Sequence, residues 1–278
     1  MAVLDKLERE EGLTDIEAEL ARFICANADE VCHMGIADLS KASFTSSATV
    51  VRLCRKVGVR GFRDLRVELA SDLAHRRANQ SEVDVNKPFA DGQPVADVVS
   101  SVVTLTKEAV DICHASLDVY DIERVARAIR AAGHVYLFGH GDSEINAIAF
   151  ANLLLKLGVP CVIANQFGEV PSVSHCVRKN DVVIIVSYKG GILKEMEMVL
   201  PIFKERGCKT VLITSIAPPL GIDYCLRFPA KEAGKGNVAT YYSQTCIRLI
   251  LNCIYGEIFE LDYEASRRSK EQAERFNH

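Results

Sequence analysis

Hydrophobic positions follow different periods in the two parts of the chain. Up to about residue 76 they recur at helical spacing, as in Ile16 and Leu20, whereas after about residue 94 short β-branched runs alternate with helical stretches. The residues between are polar, rich in turn formers and without a sustained apolar period. The pattern predicts an all-α domain over residues 1–76, a linker over 77–93 and a second domain over 94–278.

Four helices are predicted in the N-terminal part. Thr14 and Glu17 form a capping-box pattern at the first helix, and Gly58 stands just past the end of the third. The predicted helices cover about residues 14–27, 36–42, 47–57 and 62–75. The second and third have the spacing of a helix-turn-helix, whose second helix enters the major groove of DNA. Phe44 occupies the turn, where glycine commonly adopts a left-handed conformation, so either the turn differs or its strain is tolerated.

The C-terminal part alternates apolar runs with helical patterns. Continuous apolar strands separated by helices are typical of a parallel sheet buried on both faces. The predicted strands cover residues 135–138, 161–164, 182–186, 210–214 and 224–228. The predicted helices cover about residues 94–115, 120–132, 145–157, 193–205 and 239–259. We therefore expect a doubly wound α/β fold with a five-stranded parallel sheet in the flavodoxin-like order 2-1-3-4-5.

Charge is distributed unevenly along the chain. The 278 residues have a net charge of −4, which by itself does not indicate a nucleic-acid partner. Residues 1–40 contain three basic and ten acidic side chains, whereas residues 41–77 contain nine basic and three acidic ones. A locally basic face favours double-stranded DNA as a partner. The expected DNA-contacting residues are Lys41, Thr45, Ser46, Ser47, Thr49, Arg52, Lys56, Arg60 and Arg63. The alternative is a small helical domain whose basic face is merely solvated.

Two glycine-containing loops follow the first and third predicted strands, and each precedes a helix. In a 2-1-3-4-5 sheet these loops flank the topological switch point, where ligands bind beyond the strand ends. The predicted ligand-binding residues are Gly139, His140, Gly141, Asp142, Ser143, Ser187, Tyr188, Lys189, Gly190 and Gly191. Neither loop has a dinucleotide or P-loop fingerprint. Alternatively, the glycines only form turns and the serines only cap helices.

Residue types that carry catalysis or bind metals are sparse. His140, His175, Glu144 and Glu169 lie in or near the predicted loops and have acid–base chemistry, but no pattern assigns them a catalytic role. Ten cysteines are spread without metal-ligand spacing, which favours a reducing cytoplasm, no metal and no cofactor. No apolar run has the length of a membrane span or a signal peptide, so no membrane association is expected.

Two stretches resemble the RpiR family of bacterial transcriptional regulators. Residues 46–58, Ser-Ser-Ala-Thr-Val-Val-Arg-Leu-Cys-Arg-Lys-Val-Gly, followed by Gly61-Phe62, are similar to the family's S-x-A-T-V-x-R-F-x-x-x-L-G…G-F pattern. Residues 139–143, Gly-His-Gly-Asp-Ser, are similar to the G-x-G-x-S loop of a sugar isomerase (SIS) domain. The resemblance implies a helix-turn-helix domain joined to a SIS domain that senses a phosphosugar without chemistry, with Ser143 and Ser187 as ligand contacts.

The second loop departs from the family pattern. The family often has S-x-S-G-x-T, and here Lys189 and Ile192 replace two hydroxyl residues. The alternatives for the effector of this DNA-binding regulator are therefore a small sugar phosphate, a sugar acid, or a ligand of a pocket that has lost phosphate binding. Helix-turn-helix readers usually act as symmetric oligomers, so a homodimer or a dimer of dimers is expected. The alternative function is a SIS-type aldose–ketose isomerase that uses His140 or Glu169.

Overall fold

A computed structural model describes residues 2–78, 83–164, 168–233 and 236–275. Residues 79–82 of the predicted linker lie outside the described residues, and residues 83–94 contain neither helix nor strand. The described residues form two compact units, one within residues 1–117 and 233–238 and the other within residues 118–232 and 239–278.

The first unit is helical, as predicted. Its helices are α1 Val3–Arg9, α2 Asp15–Ala26, α3 Ala28–Val31, α4 Ile36–Ala42, α5 Ser47–Lys56, α6 Phe62–Ala78 and α7 Val95–Ser116. The predicted capping box is present, because Thr14 donates its backbone N–H to Glu17 Oε2 at 2.9 Å. The short helices α1 and α3 were not predicted, since one or two turns show no clear period. Leu7, Leu20, Leu39, Leu53 and Leu65 are fully buried in a shared core.

The second unit is an α/β unit with an all-parallel sheet. Its elements are α8 Val119–Arg130, β1 Val135–Gly139, α9 Asp142–Lys156, β2 Cys161–Ala164, α10 Glu169–Cys176, β3 Val182–Val186, α11 Leu193–Met196, α12 Leu200–Arg206, β4 Lys209–Thr214, β5 Tyr224–Arg227, α13 Tyr241–Glu260 and α14 Tyr263–Glu274. The strand order is β2-β1-β3-β4-β5, which confirms the predicted fold class and order. Strands β1 and β3 are buried along their whole length, as expected for a sheet covered on both faces.

The helix predicted over residues 193–205 is wrong as a single element. The structure has two helices, α11 and α12, with a break at residues 197–199. Pro201 lies in the first turn of α12, where a missing N–H is tolerated, whereas in one continuous helix it would remove the hydrogen bond to the residue 197 carbonyl and its ring would clash with that carbonyl. Helices α10 and α14 were also not predicted.

The compact units divide the chain at a different place from the predicted domain boundaries. Helix α7 lies in the helical unit, whereas the sequence places residues 94–115 with the sheet. The domain boundaries 1–76, 77–93 and 94–278 therefore stay a prediction. The compact units instead divide the chain after Leu117. Within the described part of the chain, no helix combines the length and the apolar character needed to cross a lipid bilayer.

Candidate functional site

The predicted helix-turn-helix is present as α4, a four-residue connection and α5. Ser46 is the N-cap of α5, where its Oγ accepts a hydrogen bond from the Thr49 N–H at 3.1 Å. On the inner side of α5, Val50 and Leu53 are fully buried. The opposite side of α5 therefore faces away from the core.

The sequence left open whether the turn differs from the usual one or tolerates a strained residue at Phe44, and the structure has the strained residue. Phe44 has φ +53°, in the left-handed region, and its side chain is 97% exposed. Gly58 has φ +88° just past α5, as the sequence predicts for a helix-terminating glycine.

The exposed side of α5 contains most of the predicted DNA-contacting side chains. Ser46, Ser47 and Arg52 are exposed, and Lys41 is exposed in the last turn of α4. Arg55, which the prediction omitted, is exposed one turn after Arg52; its position three residues later on the helix was the available signal. The exposed face is cationic and begins at the helix N-terminus.

Two predicted contact residues have roles within the protein. Thr49 is only 5% exposed, and its Oγ1 accepts a hydrogen bond from Arg52 Nη2 at 3.2 Å. Thr45 is half-buried, with its Oγ1 2.8 Å from the Ser43 hydroxyl. Both side chains thus support the turn and the first turn of α5.

Lys56 is the clearest case of a predicted contact residue with a partner inside the unit. Its Nζ donates to Glu17 Oε2 at 2.6 Å and to the Gly12 carbonyl at 2.8 Å. The hydrogen bond from Lys56, followed by that from the Thr14 backbone, lowers the pKa of Glu17 to about 2. Arg60 pairs with Asp64 at 2.9 Å, and Arg63 is exposed in the first turn of α6.

The two predicted ligand loops emerge side by side. Strands β1 and β3 are neighbours in the sheet, and Gly139 at the end of β1 lies in register with Val186 at the end of β3. Because both strands run in the same direction, residues 140–143 and 187–191 meet at the carboxyl edge of the sheet. This edge lies between β1 and β3, which is the topological switch point.

The first loop leads directly into the N-terminus of α9. Gly141 is the N-cap with φ +58° and ψ −127°, a conformation that only glycine adopts readily. Since glycine has no side chain to cap the helix, the first-turn N–H groups of α9 are open to an acceptor. Ser143 is 8% exposed, and Asp142 Oδ2 accepts a hydrogen bond from the Thr240 hydroxyl at 2.6 Å. His140 Nδ1 lies 3.8 Å from Glu195 Oε1.

The second loop is fastened to the segment that follows β5. Tyr188 Oη accepts hydrogen bonds from the Lys231 and Glu232 N–H groups at 3.0 and 2.9 Å, and its ring stacks on Phe228 with centroids 5.8 Å apart. Burial raises the pKa of Tyr188 to about 12, so it stays protonated. Lys189 Nζ donates to the Glu232 carbonyl at 2.5 Å. The Lys189 ammonium is thus partly satisfied by the protein, while Ser187 is 6% exposed beside it.

Glu232 lies beside the second loop, where its carbonyl accepts from Lys189, and was not among the predicted residues. Its side chain is buried, with Oε1 accepting from the Ser243 N–H in the first turn of α13 at 3.0 Å. Among the described residues, Oε2 of Glu232 and Oγ of Ser243 are buried without a hydrogen-bond partner. The available signal was weak: a single acid after the last strand, outside any glycine loop. A buried carboxylate oxygen in this position favours a hydrogen-bond donor such as a hydroxyl.

The four acid–base candidates do not gather at one point. His140 and Glu144 belong to the first loop and α9, and Glu169 begins α10 after β2. His175 lies at the other end of α10, where its carbonyl accepts from Arg206, the last residue of α12 before β4 begins. The expectation that His175 lies near the loops is therefore wrong. In the described residues, no group of three or more His, Cys, Asp or Glu side chains has a metal-binding arrangement.

The chain combines a helix-turn-helix in the helical unit with a parallel sheet whose topological switch point is the usual place for a ligand in such folds. A family model described as "Helix-turn-helix domain, rpiR family" matches residues 1–76, and a model of the SIS domain matches residues 128–245. Together they match more than half of the chain. The chain therefore belongs to the RpiR family of helix-turn-helix transcriptional regulators, and its sheet is a SIS domain, as the sequence resemblance implied.

Named relatives agree with this assignment. The chain is 26% identical to the transcriptional regulator RpiR of Escherichia coli K12, over 81% of this chain and 75% of that protein. It is 27% identical to the regulator HexR of the same strain, over 79% of this chain and 74% of that protein. Among solved structures, the Vibrio vulnificus NanR protein complexed with ManNAc-6P matches with a TM-score of 0.58 and 22% identity, covering 98% of this chain and 97% of that one. This last likeness supports the fold.

Proposed function

We propose that this regulator binds double-stranded operator DNA with α4 and α5, and that a small sugar-derived effector at the switch point controls the affinity. The observation that carries the first part is the exposed, cationic side of α5, which begins at a helix N-terminus and lies opposite a fully buried side. Helix N-terminal N–H groups and arginine side chains are common phosphate and base contacts.

Among the predicted contact residues, the exposed ones are proposed to touch DNA. Ser46, Ser47 and Arg52 lie on the outer side of α5, with Lys41 and Arg63 on the helices before and after it. Arg55 is added to this set because of its exposure. Lys56 is proposed to act mainly through its hydrogen bond to Glu17, since moving it to a phosphate would leave a buried carboxylate without its cation.

The effector is proposed to be a sugar phosphate or a sugar acid. The N-terminus of α9 favours an anionic group, and Ser143 and Ser187 supply hydroxyls at the adjoining strand ends. Glu232 offers a buried acceptor for a sugar hydroxyl. The NanR relative in complex with ManNAc-6P supports a phosphorylated sugar as the first class to test. An effector-dependent change of about 5- to 150-fold in operator affinity would be typical of allosteric coupling.

DNA binding is tested by comparing Arg52→Ala with Arg127→Ala, which removes the same charge from an exposed site on α8. Both variants are titrated against a duplex that the wild-type protein selects from a random library, at several salt concentrations. Arg52→Ala should weaken binding and reduce the slope of log K against log salt by about 1. If it behaves like Arg127→Ala, α5 does not contact DNA.

Effector binding is tested by a thermal-shift screen of sugar phosphates and sugar acids. A compound that raises the melting temperature of the wild-type protein should not raise that of Ser143→Ala, whereas Ser172→Ala, an exposed serine on α10, should respond like wild type. An unchanged shift in Ser143→Ala places the ligand elsewhere. Conversion of the compound during incubation would favour the isomerase alternative with His140 or Glu169 over a regulator without catalysis.

The active form is proposed to be a homodimer or a dimer of dimers. A two-fold symmetric assembly would present two copies of α5 to half-sites about one helical turn of DNA apart. Sedimentation of the protein alone and with the selected duplex tests this proposal. A single protomer on the duplex at saturating protein would contradict it.

A further inference from the structure

Phe44 combines two unfavourable features. Its backbone is left-handed, with φ +53°, although a phenylalanine side chain is strained there and a glycine is not. Its side chain is 97% exposed, so the ring packs on almost nothing within the chain. Residues held in such backbone conformations cluster at functional sites, where the surrounding structure maintains the strain.

The surrounding turn holds Phe44 in this conformation. The Ser43 N–H donates to the Leu39 carbonyl and the Thr45 N–H to the Ser40 carbonyl, each at 2.9 Å, so both neighbours are fixed. The Ser40 and Ser47 hydroxyls, 3.1 Å apart, join the two helices across the turn. The backbone of Phe44 is therefore held in place, and its exposed ring lies two residues before the N-cap of α5.

The exposed side chains near Phe44 in the sequence indicate what covers its ring. Lys41 lies three residues before Phe44, Ser46 and Ser47 follow within three residues, and Arg52 lies two turns further along α5. Cationic and hydroxyl side chains suit a polyanion better than the apolar patch of another protein. In the major groove the apolar feature of DNA is the 5-methyl group of thymine, and phenylalanine is among the side chains that pack on it.

We propose that Phe44 is a specificity-determining residue that packs on the methyl group of a thymine at the edge of the operator half-site. This inference rests on the proposed DNA binding by α5 and adds a base contact from the turn. In the complex the ring gains a packing partner in place of its 97% exposure in the free protein.

The test compares the full-length wild type with Phe44→Gly on a duplex selected from a random library by the wild type. Each thymine is replaced in turn by uracil, which lacks only the methyl group. For the wild type, one uracil position per half-site should weaken binding about fourfold, the value of one buried methyl group. Phe44→Gly should bind the thymine duplex at least about fourfold more weakly and lose nothing further with uracil at that position.

Two further measurements separate a DNA contact from a structural effect. The melting temperature of Phe44→Gly should equal or exceed that of the wild type, because glycine removes the strain, and the salt slope should not change, because no phosphate contact is lost. Leu220→Gly is the matched control: Leu220 is 98% exposed in the loop between β4 and β5 and should leave operator binding unchanged.

Other outcomes overturn the proposal. Wild-type affinity of Phe44→Gly for every duplex means that the ring does not touch DNA. An equal loss with thymine and uracil means that the ring acts through the shape of the turn. A changed oligomeric state of Phe44→Gly on sedimentation means that a second copy covers the ring. If the wild type selects no duplex at all, the failure lies with the proposed DNA binding itself.

Discussion

Replacing Lys56 by methionine should destabilise the helical unit through Glu17. Methionine keeps the long apolar stem of lysine but removes the ammonium that donates to Glu17 Oε2 at 2.6 Å. Glu17 is 4% exposed at its side chain and would keep only the two hydrogen bonds from Thr14. A helix-surface lysine thus becomes a stability determinant because its partner is buried.

The magnitude follows from the pKa of Glu17. A fall from 4.5 to about 2 corresponds to about 3 kcal/mol for all contacts of the carboxylate together. Lys56 is 39% exposed at its side chain, so solvent screens its share, and Thr14 supplies part of the effect. We therefore expect Lys56→Met to lower the free energy of unfolding by about 1–2 kcal/mol near neutral pH.

The effect should depend on pH in one direction. Because the folded-state pKa of Glu17 lies below its unfolded value, ionised Glu17 stabilises the fold fully above about pH 4.5, and this contribution is lost as the pH falls towards 2. The stability difference between wild type and Lys56→Met should therefore be constant from about pH 5 to about pH 7 and shrink as the pH falls from about 4.5 towards 2.

Hydrogen exchange at neutral pH measures the effect locally. Amides of α2 and α5 should exchange faster in Lys56→Met by about the factor that 1–2 kcal/mol implies, while amides of α13 serve as an internal reference. Circular-dichroism melts between pH 2 and 6 give the pH dependence. Arg55→Met, an exposed neighbour on α5, should change stability by less than about 0.5 kcal/mol. The reasoning is refuted if Lys56→Met matches Arg55→Met, or if Glu17→Gln leaves the effect of Lys56→Met undiminished.

Two further predictions concern the second ligand loop. Gly190→Ala should destabilise the sheet unit by about 1–3 kcal/mol in calorimetry, because φ is +76° and the added Cβ would lie 2.5 Å from Ile216 Cδ1. The control Gly191→Ala should be nearly neutral, because its added Cβ would have no atom within 4 Å. Tyr188→Phe should lower the free energy of unfolding by about 1–3 kcal/mol in urea denaturation, because two backbone N–H groups lose their acceptor. The control Tyr120→Phe, at an exposed position, should lower it by less than about 0.5 kcal/mol. Equal effects within either pair would contradict the contacts described.

Local signals in the sequence were sufficient for most of the fold. The capping box at Thr14 and Glu17, the N-cap Ser46 and the helix-ending Gly58 act within a few residues of themselves, so their patterns predict helix boundaries directly. Continuous apolar runs are similarly direct evidence for strands buried on both faces. The short helices α1, α3 and α10 and the break before Pro201 were missed because their signals are weaker than the apolar period around them. The longer α14 was missed because it is mostly polar, with Ser266 as its one buried residue among those described.

The candidate sites could likewise be predicted in part from the sequence. The glycines and serines of the two loops could be predicted, because adjoining strand ends of a parallel sheet bring them to one edge. The position of Phe44 in the turn could also be predicted from spacing, with a left-handed backbone as one of two alternatives; the structure decided between them and showed the exposure of the ring. A helical period predicts which residues share a face of the helix, but it does not predict what packs against that face.

By itself, the sequence determined the two kinds of secondary structure, the helix-turn-helix, the order of the sheet and the family. Only the tertiary structure decided which side chains have partners: Lys56 with Glu17, 39 residues apart, and Lys189 with the Glu232 carbonyl, 43 residues apart. The physical reason is that capping, turns and hydrophobic periods depend on neighbours along the chain. The partner of a charged group depends on desolvation and distance in the folded state, which no local pattern records.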